Sequence, residues 1–555
     1  MITEIKGGFK ILAHEVLQAA IEARDILRVR DPSKSRVLYH RSAYINTQVA
    51  LLQNQIMDLF LRKESGYRDN LYLQGLSSIA SRLERISDIL LNLDRQAGYL
   101  TDKDFLQRFK LEEFFSEILN GLGKIYPAME RRDVSMAIRL GHVEERLDAY
   151  YSDRFAKINA YLKEGTGNTG DLVTSLMIIH YLERVGDMIL EIGEKIIYVI
   201  MGEKIKLEQY KAVGAGLKAT GQHLELGRMG FKSIWGGRSG CRIGVVGSAQ
   251  KDLTTESPAE TVLFKHGPAF KLTCEKENLQ LWTSLRPGLT PEVKAFIPAR
   301  AGSEAALMLE YIPSRNLQAL FLENAPDEAF NGLAIAVQTM GDIWKETKKT
   351  KNSSAEFVRQ AENRFSEAQT IYPQLIKFYG SIGPMEIEPF PRLLGALKEV
   401  EAKVPSNYSM LIHGDLNLSN ILYNPQTKEI YMVDLYRSRE NDYVQDVSVL
   451  LVSILRLPIL DPKVRRRLIY AANMVHDFAR KFSHQLEDHT FEARLAFGLA
   501  RSFFTSTRFI MEEKMAAIFV ARARYIWEKL FLFHDRGRPM EEFRLSKEIL
   551  NLKFH

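Results

Sequence analysis

Apolar residues over the first two hundred positions recur every three to four residues and are seldom interrupted by proline, which is the spacing of amphipathic helices. Six helices are predicted, near 9–28, 40–63, 68–97, 104–125, 131–164 and 169–201. The breaks between them carry turn chemistry: Asp31-Pro32-Ser33, Ser65-Gly66, the stretch near Gly98, Tyr126-Pro127, and Gly165-Thr166-Gly167-Asn168-Thr169-Gly170, with Asp171 as the expected N-cap of the sixth helix. The pattern also repeats. Leu83-Glu84-Arg85-Ile86-Ser87-Asp88 returns 99 residues later as Leu182-Glu183-Arg184-Val185-Gly186-Asp187. That offset is the length of one three-helix unit, so two tandem three-helix bundles are expected.

The texture then changes. Residues 203–228, punctuated by Gly214, Gly216 and Gly221, read as a helical or mixed linker. Short β-type runs follow at Arg242–Val246, Thr261–Phe264, Val293–Ile297 and Ala306–Tyr311, with a helical stretch, Leu272–Leu285, among them. This is the pattern of a small α+β lobe. Beyond Ile312 helical spacing resumes, except for Ile421–Tyr423 and Ile430–Val433, which flank Asn424-Pro425-Gln426 and read as a hairpin.

Composition narrows the class without choosing a function. A chain of 555 residues, 46% hydrophobic and 26% charged, has the balance of a multidomain globular protein. The net charge of +6 is too mild to argue for nucleic acid. The basic run Lys463-Val464-Arg465-Arg466-Arg467 has no aromatic platform and reads as a solvated helix face. Two cysteines, Cys241 and Cys274, exclude a disulfide framework or a four-cysteine zinc site. The opening residues lack an apolar core for a signal peptide, and no stretch approaches the ~20 apolar residues of a membrane span. A cytoplasmic protein is expected.

The sharpest motif is His413-Gly414-Asp415-Leu416-Asn417-Leu418-Ser419-Asn420, followed, after the hairpin, by Val433-Asp434. Phosphoryl transfer needs this set: one carboxylate to orient an acceptor hydroxyl and take its proton, and an amide with a second carboxylate to hold Mg²⁺ against the phosphates. A polar loop between helices is the plainer account of HGD alone; the spacing to Asp434 is what exceeds it. Residues from about 228 to 555 resemble the aminoglycoside phosphotransferase and choline kinase superfamily. The resemblance implies Asp415 and His413 as catalytic residues, Asn420 and Asp434 as Mg²⁺ ligands, and Asp446 as a brace of the catalytic loop, although Asp446 would serve equally as a helix N-cap. It implies an ATP site built from Gly236, Gly237, Ser239 and Gly240 as the phosphate loop, and Lys265 as the phosphate contact. Glu275 would be the pairing glutamate, with Glu277 as competitor, and the hinge would run from Leu309 through Glu310 to Ile312. No glycine follows Asp434, which argues against a protein kinase. The implied fold is a bilobal protein-kinase-like α+β fold.

On a helix advancing about 100° per residue, Ile178, Leu182, Val185, Ile189, Ile196 and Ile200 form one stripe, and Glu183, Asp187 and Glu191 line another at i, i+4 and i+8. In the earlier copy Glu84, Asp88 and Asn92 do the same. A solvated face explains one copy; two at equivalent places suit oxygen ligands for a divalent metal. The pattern resembles PhoU, the bacterial phosphate-homeostasis regulator built from two three-helix bundles, whose motif is Glu-x-x-x-Asp-x-x-x-Asn. The first copy matches fully, and the second has Glu191 in place of Asn. The resemblance implies a di- or trivalent metal cluster on this acidic surface, with Glu144, Glu145 and Asp148 as further candidate ligands. It also implies a phosphate transporter or sensor protein as partner, with a homodimer kept open.

The fold class expected is therefore multidomain: all-α tandem bundles over 1–205, a linker over 206–228, a kinase-like N-lobe over 229–312 and a helical C-lobe over 313–555. Two functions of different class follow. One is an ATP- and Mg²⁺-dependent phosphotransferase acting on a hydroxyl of a small molecule, with the PhoU-like half as regulator. The other is a non-catalytic nucleotide-binding regulator of phosphate transport or signalling. The acceptor is not readable, although Glu487, Asp488 and Glu492 would line an acidic pocket if the acceptor were cationic.

Overall fold

The computed structural model describes residues 2–29, 32–62, 67–102, 105–202, 207–219, 229–233, 241–248, 261–298, 304–323, 326–376, 380–382, 385–457, 461–510 and 512–550. The chain divides into two compact units. The first comprises Met1–His266 with Ile297–Ala299, and the second Gly267–Phe296 with Arg300–His555.

In the first unit α1 (Ile2–Val29), α2 (Pro32–Arg62) and α3 (Tyr67–Ala97) pack as one bundle. A second bundle is formed by α4 (Leu111–Glu130), α5 (Val134–Glu164) and α6 (Thr169–Met201). Contacts of α1 with α4 and of α3 with α6 join the two. The tandem arrangement follows the repeat: Leu83 and Ile86 in one copy, and Leu182, Val185 and Ile189 in the other, are fully buried. Boundaries differ from expectation where proline is involved. The second helix begins at Pro32, whose fixed φ and missing N–H suit a first turn. The fourth runs through Pro127 to Glu130, at the cost of the one intrahelical bond that a proline without an N–H cannot donate. The cap of α6 is Asn168, which accepts the N–H groups of Gly170 and Asp171 at 2.8 and 3.3 Å. Asp171, expected in that role, is buried instead and accepts the Thr101 N–H and hydroxyl, both at 2.7 Å, tying the inter-bundle turn to α6. Helices α5 and α6 lie close: a Cβ on Gly193 would stand 2.8 Å from the Ala137 carbonyl.

A short helix α7 (Leu207–Ala219) precedes an antiparallel ladder of β1 (Met229–Ser233), β2 (Arg242–Ser248) and β3 (Val262–Pro268), with Val246 opposite Val262.

The second unit opens with α8 (Ala269–Leu285), β4 (Val293–Ile297) and β5 (Glu304–Glu310). It continues with β6 (Arg315–Asn316), α9 (Leu317–Leu322), α10 (Pro326–Glu346), α11 (Phe357–Glu362), α12 (Phe365–Ile371), α13 (Pro373–Ile376), β7 (Gly380–Ile382), β8 (Met385–Ile387) and α14 (Phe390–Ala402). Then come β9 (Met410–Ile412), the hairpin β10 (Ile421–Asn424) and β11 (Glu429–Met432), β12 (Arg439–Asn441), α15 (Val444–Leu455), α16 (Pro462–Gln485), α17 (Phe491–Ser506) and α18 (Glu513–Asp535). The hairpin pairs Ile421 with Met432 and adds β6 on its other side, while β12 pairs with β9, Arg439 opposite Ile412. The start of α15 is fixed by a buried ion cluster: Arg494 of α17 contacts Asp442 at 2.5 Å and also Asp488, and the Tyr443 hydroxyl donates to Asp488 at 2.8 Å. Asp488 is thus committed inside the protein. Glu492 is committed likewise, to Arg480 at 3.3 Å and the Leu545 N–H at 3.4 Å. The basic run is not uniformly a solvated face either, because Arg465 turns inward and donates to the Leu457 carbonyl at 2.8 Å. Among the described residues no helix is long and apolar enough to cross a membrane.

Candidate active site

The HGD motif leaves β9 at Ile412 and turns sharply. Gly414 has φ +82°, and a Cβ there would come within 2.2 Å of the Arg437 carbonyl, so the position excludes a side chain on two grounds. The turn is held by Asp446, one turn into α15. Its carboxylate accepts the His413 N–H at 2.7 Å and the Gly414 N–H at 2.8 Å. Of its two expected roles, Asp446 therefore takes the brace; the Val444 N–H at the helix start is met by Asp442 at 3.0 Å. Complete burial pushes the Asp446 carboxyl up to about 7, against the pull of its two amide donors.

The His413 side chain is fully buried. Its Nε2 lies 3.1 Å from the Val433 carbonyl, and its Nδ1 lies 3.4 Å from the Asp415 N–H, so the ring links the segment that leaves β11 for Asp434 to the loop carrying Asp415. Burial holds its basicity below the ordinary histidine range. The structure thus gives His413, expected among the catalytic residues, the place of a strut.

Asp415 keeps a quarter of its side chain exposed. One carboxylate oxygen accepts from Asn417 at 3.3 Å and the other from Arg437 at 3.1 Å. Asn420 uses its amide nitrogen on the Asp415 carbonyl at 3.0 Å, so the amide oxygen is the end not used in that bond. Asp434 adopts φ +65°, the left-handed conformation that few residues other than glycine and Asn/Asp take. The segment after it is pinned by α8: Asn278 donates to the Leu435 carbonyl at 2.7 Å. The Trp282 indole N–H donates to Ser438, whose hydroxyl passes on to the Ile412 carbonyl, both at 2.7 Å. The sequence motif gave no signal for Asn278, Trp282 or Ser438, which act only once α8 is packed.

Of the other expected site residues, Glu275 on α8 is buried and Glu277 is exposed. Lys265 is buried on β3 of the first unit. The Glu310 N–H donates to the Glu292 carbonyl at 2.9 Å, and the Ile312 carbonyl accepts from Ser314 at 2.8 Å. Gly236, Gly237, Ser239 and Gly240 lie outside the described residues.

On the helical side, Glu183 and Asp187 are half-buried rather than on a fully outward face. Glu144 and Asp148 of α5 share their field: burial first, and then the charges of Asp148, Asp187, Glu145 and Glu183, push the Glu144 carboxyl up to about 7. Glu183 is raised by burial and then by Asp187 and Asp148, Asp187 by burial and then by Asp148 and Glu191, and Glu84 by burial and by Asp88. Asn92, the last residue of the first copy, is half-buried on α3. Glu191, which replaces the motif's asparagine, accepts from Arg82 of α3 at 3.0 Å. Among the described residues no three His, Cys, Asp or Glu side chains converge as ligands of one ion.

Residues 111–196 match the PhoU domain family model, and residues 329–480 match the Ecdysteroid kinase-like family. The phosphate-specific transport system accessory protein PhoU homolog 1 of Methanothermobacter thermautotrophicus is 23% identical over 207 residues, covering 37% of this chain and 94% of that protein. Among solved structures, the phosphate transport system regulatory protein PhoU from Streptococcus pneumoniae aligns at 22% identity and a TM-score of 0.34, over 37% of this chain and 97% of its own. Aminoglycoside phosphotransferase APH(3'')-Id from Streptomyces rimosus aligns at 17% identity and a TM-score of 0.32, over 57% of this chain and 97% of its own. The chain therefore carries a PhoU domain over residues 111–196 and an ecdysteroid kinase-like region over residues 329–480.

Proposed function

We propose that this protein is an ATP- and Mg²⁺-dependent kinase that phosphorylates a hydroxyl group of a small molecule in the cytoplasm, and that its PhoU-like half is a metal-binding regulatory module tied to phosphate homeostasis. The observation that carries the reading is the Asp446 clamp, which fixes the turn presenting Asp415 while His413 links that turn to Asp434.

In the reaction, the acceptor oxygen attacks the γ-phosphorus of ATP. The bond from that phosphorus to the bridging oxygen breaks, its electron pair leaves on ADP, and the acceptor proton passes to an Asp415 oxygen. Asn417 and Arg437 orient the Asp415 carboxylate. His413 is a positioning residue. Asn420 and Asp434 form a hard-oxygen pair of the kind Mg²⁺ favours, and the amide orientation of Asn420 fits that use. Magnesium, when bound, would neutralise phosphate charge. Lys265, Glu275 and the 236–240 loop are assigned to the nucleotide phosphates, and the Glu310–Ile312 backbone to the adenine edge. Burial of Glu275 and exposure of Glu277 support the choice between the two. Residues 1–205, 206–228, 229–312 and 313–555 are assigned as regulatory domain, linker, N-lobe and C-lobe. A phosphate transporter or sensor protein is the partner the helical half suggests.

The test is ADP release from purified protein with Mg-ATP across hydroxyl-bearing metabolites, with and without added phosphate. Turnover that Asp415→Ala abolishes is expected. Undiminished turnover in that variant would refute the mechanism. Nucleotide binding without turnover on any acceptor would favour the second reading, a non-catalytic regulator, for which the ion pair already engaging Asp415 is the specific support.

A further inference from the structure

Arg501 of α17 is buried, at 9% exposure, yet its Nε and Nη2 have no hydrogen-bond acceptor among the described residues. Its guanidinium lies 5.5 Å from the Phe357 ring centre, a contact that satisfies no N–H. Glu401, a buried carboxylate whose charge acts on Arg501, turns its two oxygens to the Phe357 N–H and, at 3.0 Å, the Val358 N–H. A buried guanidinium with two idle nitrogens is costly unless an anion reaches it.

Its charged surroundings are those of Asp415. The groups acting on Arg501 are Asp415, Arg437, Arg439 and Glu401. Arg437 holds Asp415 at 3.1 Å. Arg439 lies on β12, opposite the residue just before His413, and donates to Gln445 at 3.4 Å; Gln445 in turn donates to the Gly414 carbonyl at 3.0 Å. The charge of Asp415 therefore acts on both Arg501 and Arg437, and Arg439 is tied through Gln445 to the same turn. A cationic acceptor would be repelled there, and the acids expected to line a pocket for one, Asp488 and Glu492, are paired with Arg494 and Arg480.

Resting on the kinase reading, we infer that the hydroxyl acceptor carries its own oxyanion, a carboxylate or a phosphate monoester, and that Arg501 is the side chain that receives it, with Arg437 and Arg439 supplying the surrounding charge. A planar guanidinium fork matches both oxyanions in two-point contact, which an ammonium does not reproduce.

The experiment uses the full chain and matched acceptors differing only in one group: glycerol, an amino-substituted propanediol, glycerate and glycerol phosphate, together with the corresponding sugar, amino sugar, sugar acid and sugar phosphate. ADP release is expected on oxyanion-bearing members and not on their neutral or cationic counterparts, with the carboxylate and phosphate arms identifying which oxyanion is used. Arg501→Lys is expected to raise acceptor KM at least tenfold and Arg501→Met at least a hundredfold, with the KM for ATP unchanged. Equal turnover of neutral or cationic acceptors, or a rise confined to the KM for ATP, overturns the inference. A binding arm keeps it separable from the kinase reading. Equilibrium binding of glycerate, glycerol phosphate and inorganic phosphate is measured to the Asp415→Asn chain with and without Arg501→Lys, whose fold is checked by circular dichroism. If no compound is turned over, the kinase reading fails. The anion site then stands on oxyanion binding that Arg501→Lys removes, and falls if both chains bind equally or neither binds.

Discussion

The carboxylate of Asp446 accepts the backbone N–H of Gly414 at 2.8 Å across 32 residues of chain, and its other oxygen takes the preceding N–H of His413. A helix and a catalytic turn are thereby held by one buried side chain.

Replacing Asp446 by Asn should uncouple them. One acceptor becomes a donor facing an N–H, and losing a buried charge-assisted bond costs about 1.5–3 kcal/mol. Urea unfolding should show that loss, and ADP release should fall by more than tenfold. Because burial raises this carboxyl to about 7, wild-type turnover should also decline as pH drops below about 7, where a proton occupies one of the two acceptors. A rate flat from pH 8 to 6 would contradict the assignment.

Gly414→Ala should be worse for stability than Asp415→Ala. The alanine would need φ near +82° and would meet the Arg437 carbonyl, a combined cost of roughly 2–4 kcal/mol. Asp415→Ala removes a partly exposed ion pair worth less than ~1 kcal/mol. Its turnover, in contrast, should fall about 10²- to 10⁴-fold. The two variants therefore separate folding from chemistry when Tm and ADP release are measured together.

Asp434→Asn should keep the fold, since Asn tolerates the left-handed backbone as well as Asp does. It replaces a carboxylate with an amide at the assigned metal position. Mg²⁺ dependence of turnover should shift to higher concentration or be lost, with Tm unchanged within about 1 °C for a stability change near zero.

Glu144 makes the helical half sensitive to pH and to cations. Its carboxyl is raised to about 7 in the folded protein and is near the ordinary value when unfolded. Between those values the folded state binds more protons, so its contribution to stability is fullest below about 4.5 and is lost as pH rises to about 7. Glu144→Gln should flatten that part of the Tm–pH curve. If the acidic face holds a metal, a divalent cation added at pH 7.5 should raise the Tm of the wild type more than that of the variant; an identical response would remove the metal assignment.

The internal repeat, the six-helix count, the hairpin after Asn420 and the order Asp415, Asn420, Asp434 were legible from residue spacing, because helical and strand periods and local turn chemistry are written into neighbouring positions. Which of Glu275 and Glu277 is buried was not, since two residues on one helix differ only in what other segments cover. Nor was the fate of Glu191, because its partner Arg82 lies on another helix 109 residues away. The brace role of Asp446 over its cap role likewise awaited the packing of α15 against the turn.

The sequence by itself determined the tandem bundles, the hairpin after Asn420 and the kinase-type motif, since each depends on residues close together in the chain, whereas the short strands β6, β7, β8, β9 and β12 in the stretch expected to be helical form only by pairing with other segments or across a turn. Tertiary structure alone decided that His413 is a strut, that Asp488 and Glu492 are spent on internal ion pairs, and that Arg501 is buried near Asp415 with idle donors. Those facts concern burial and long-range charge, and they exist only after distant segments have excluded water from one another.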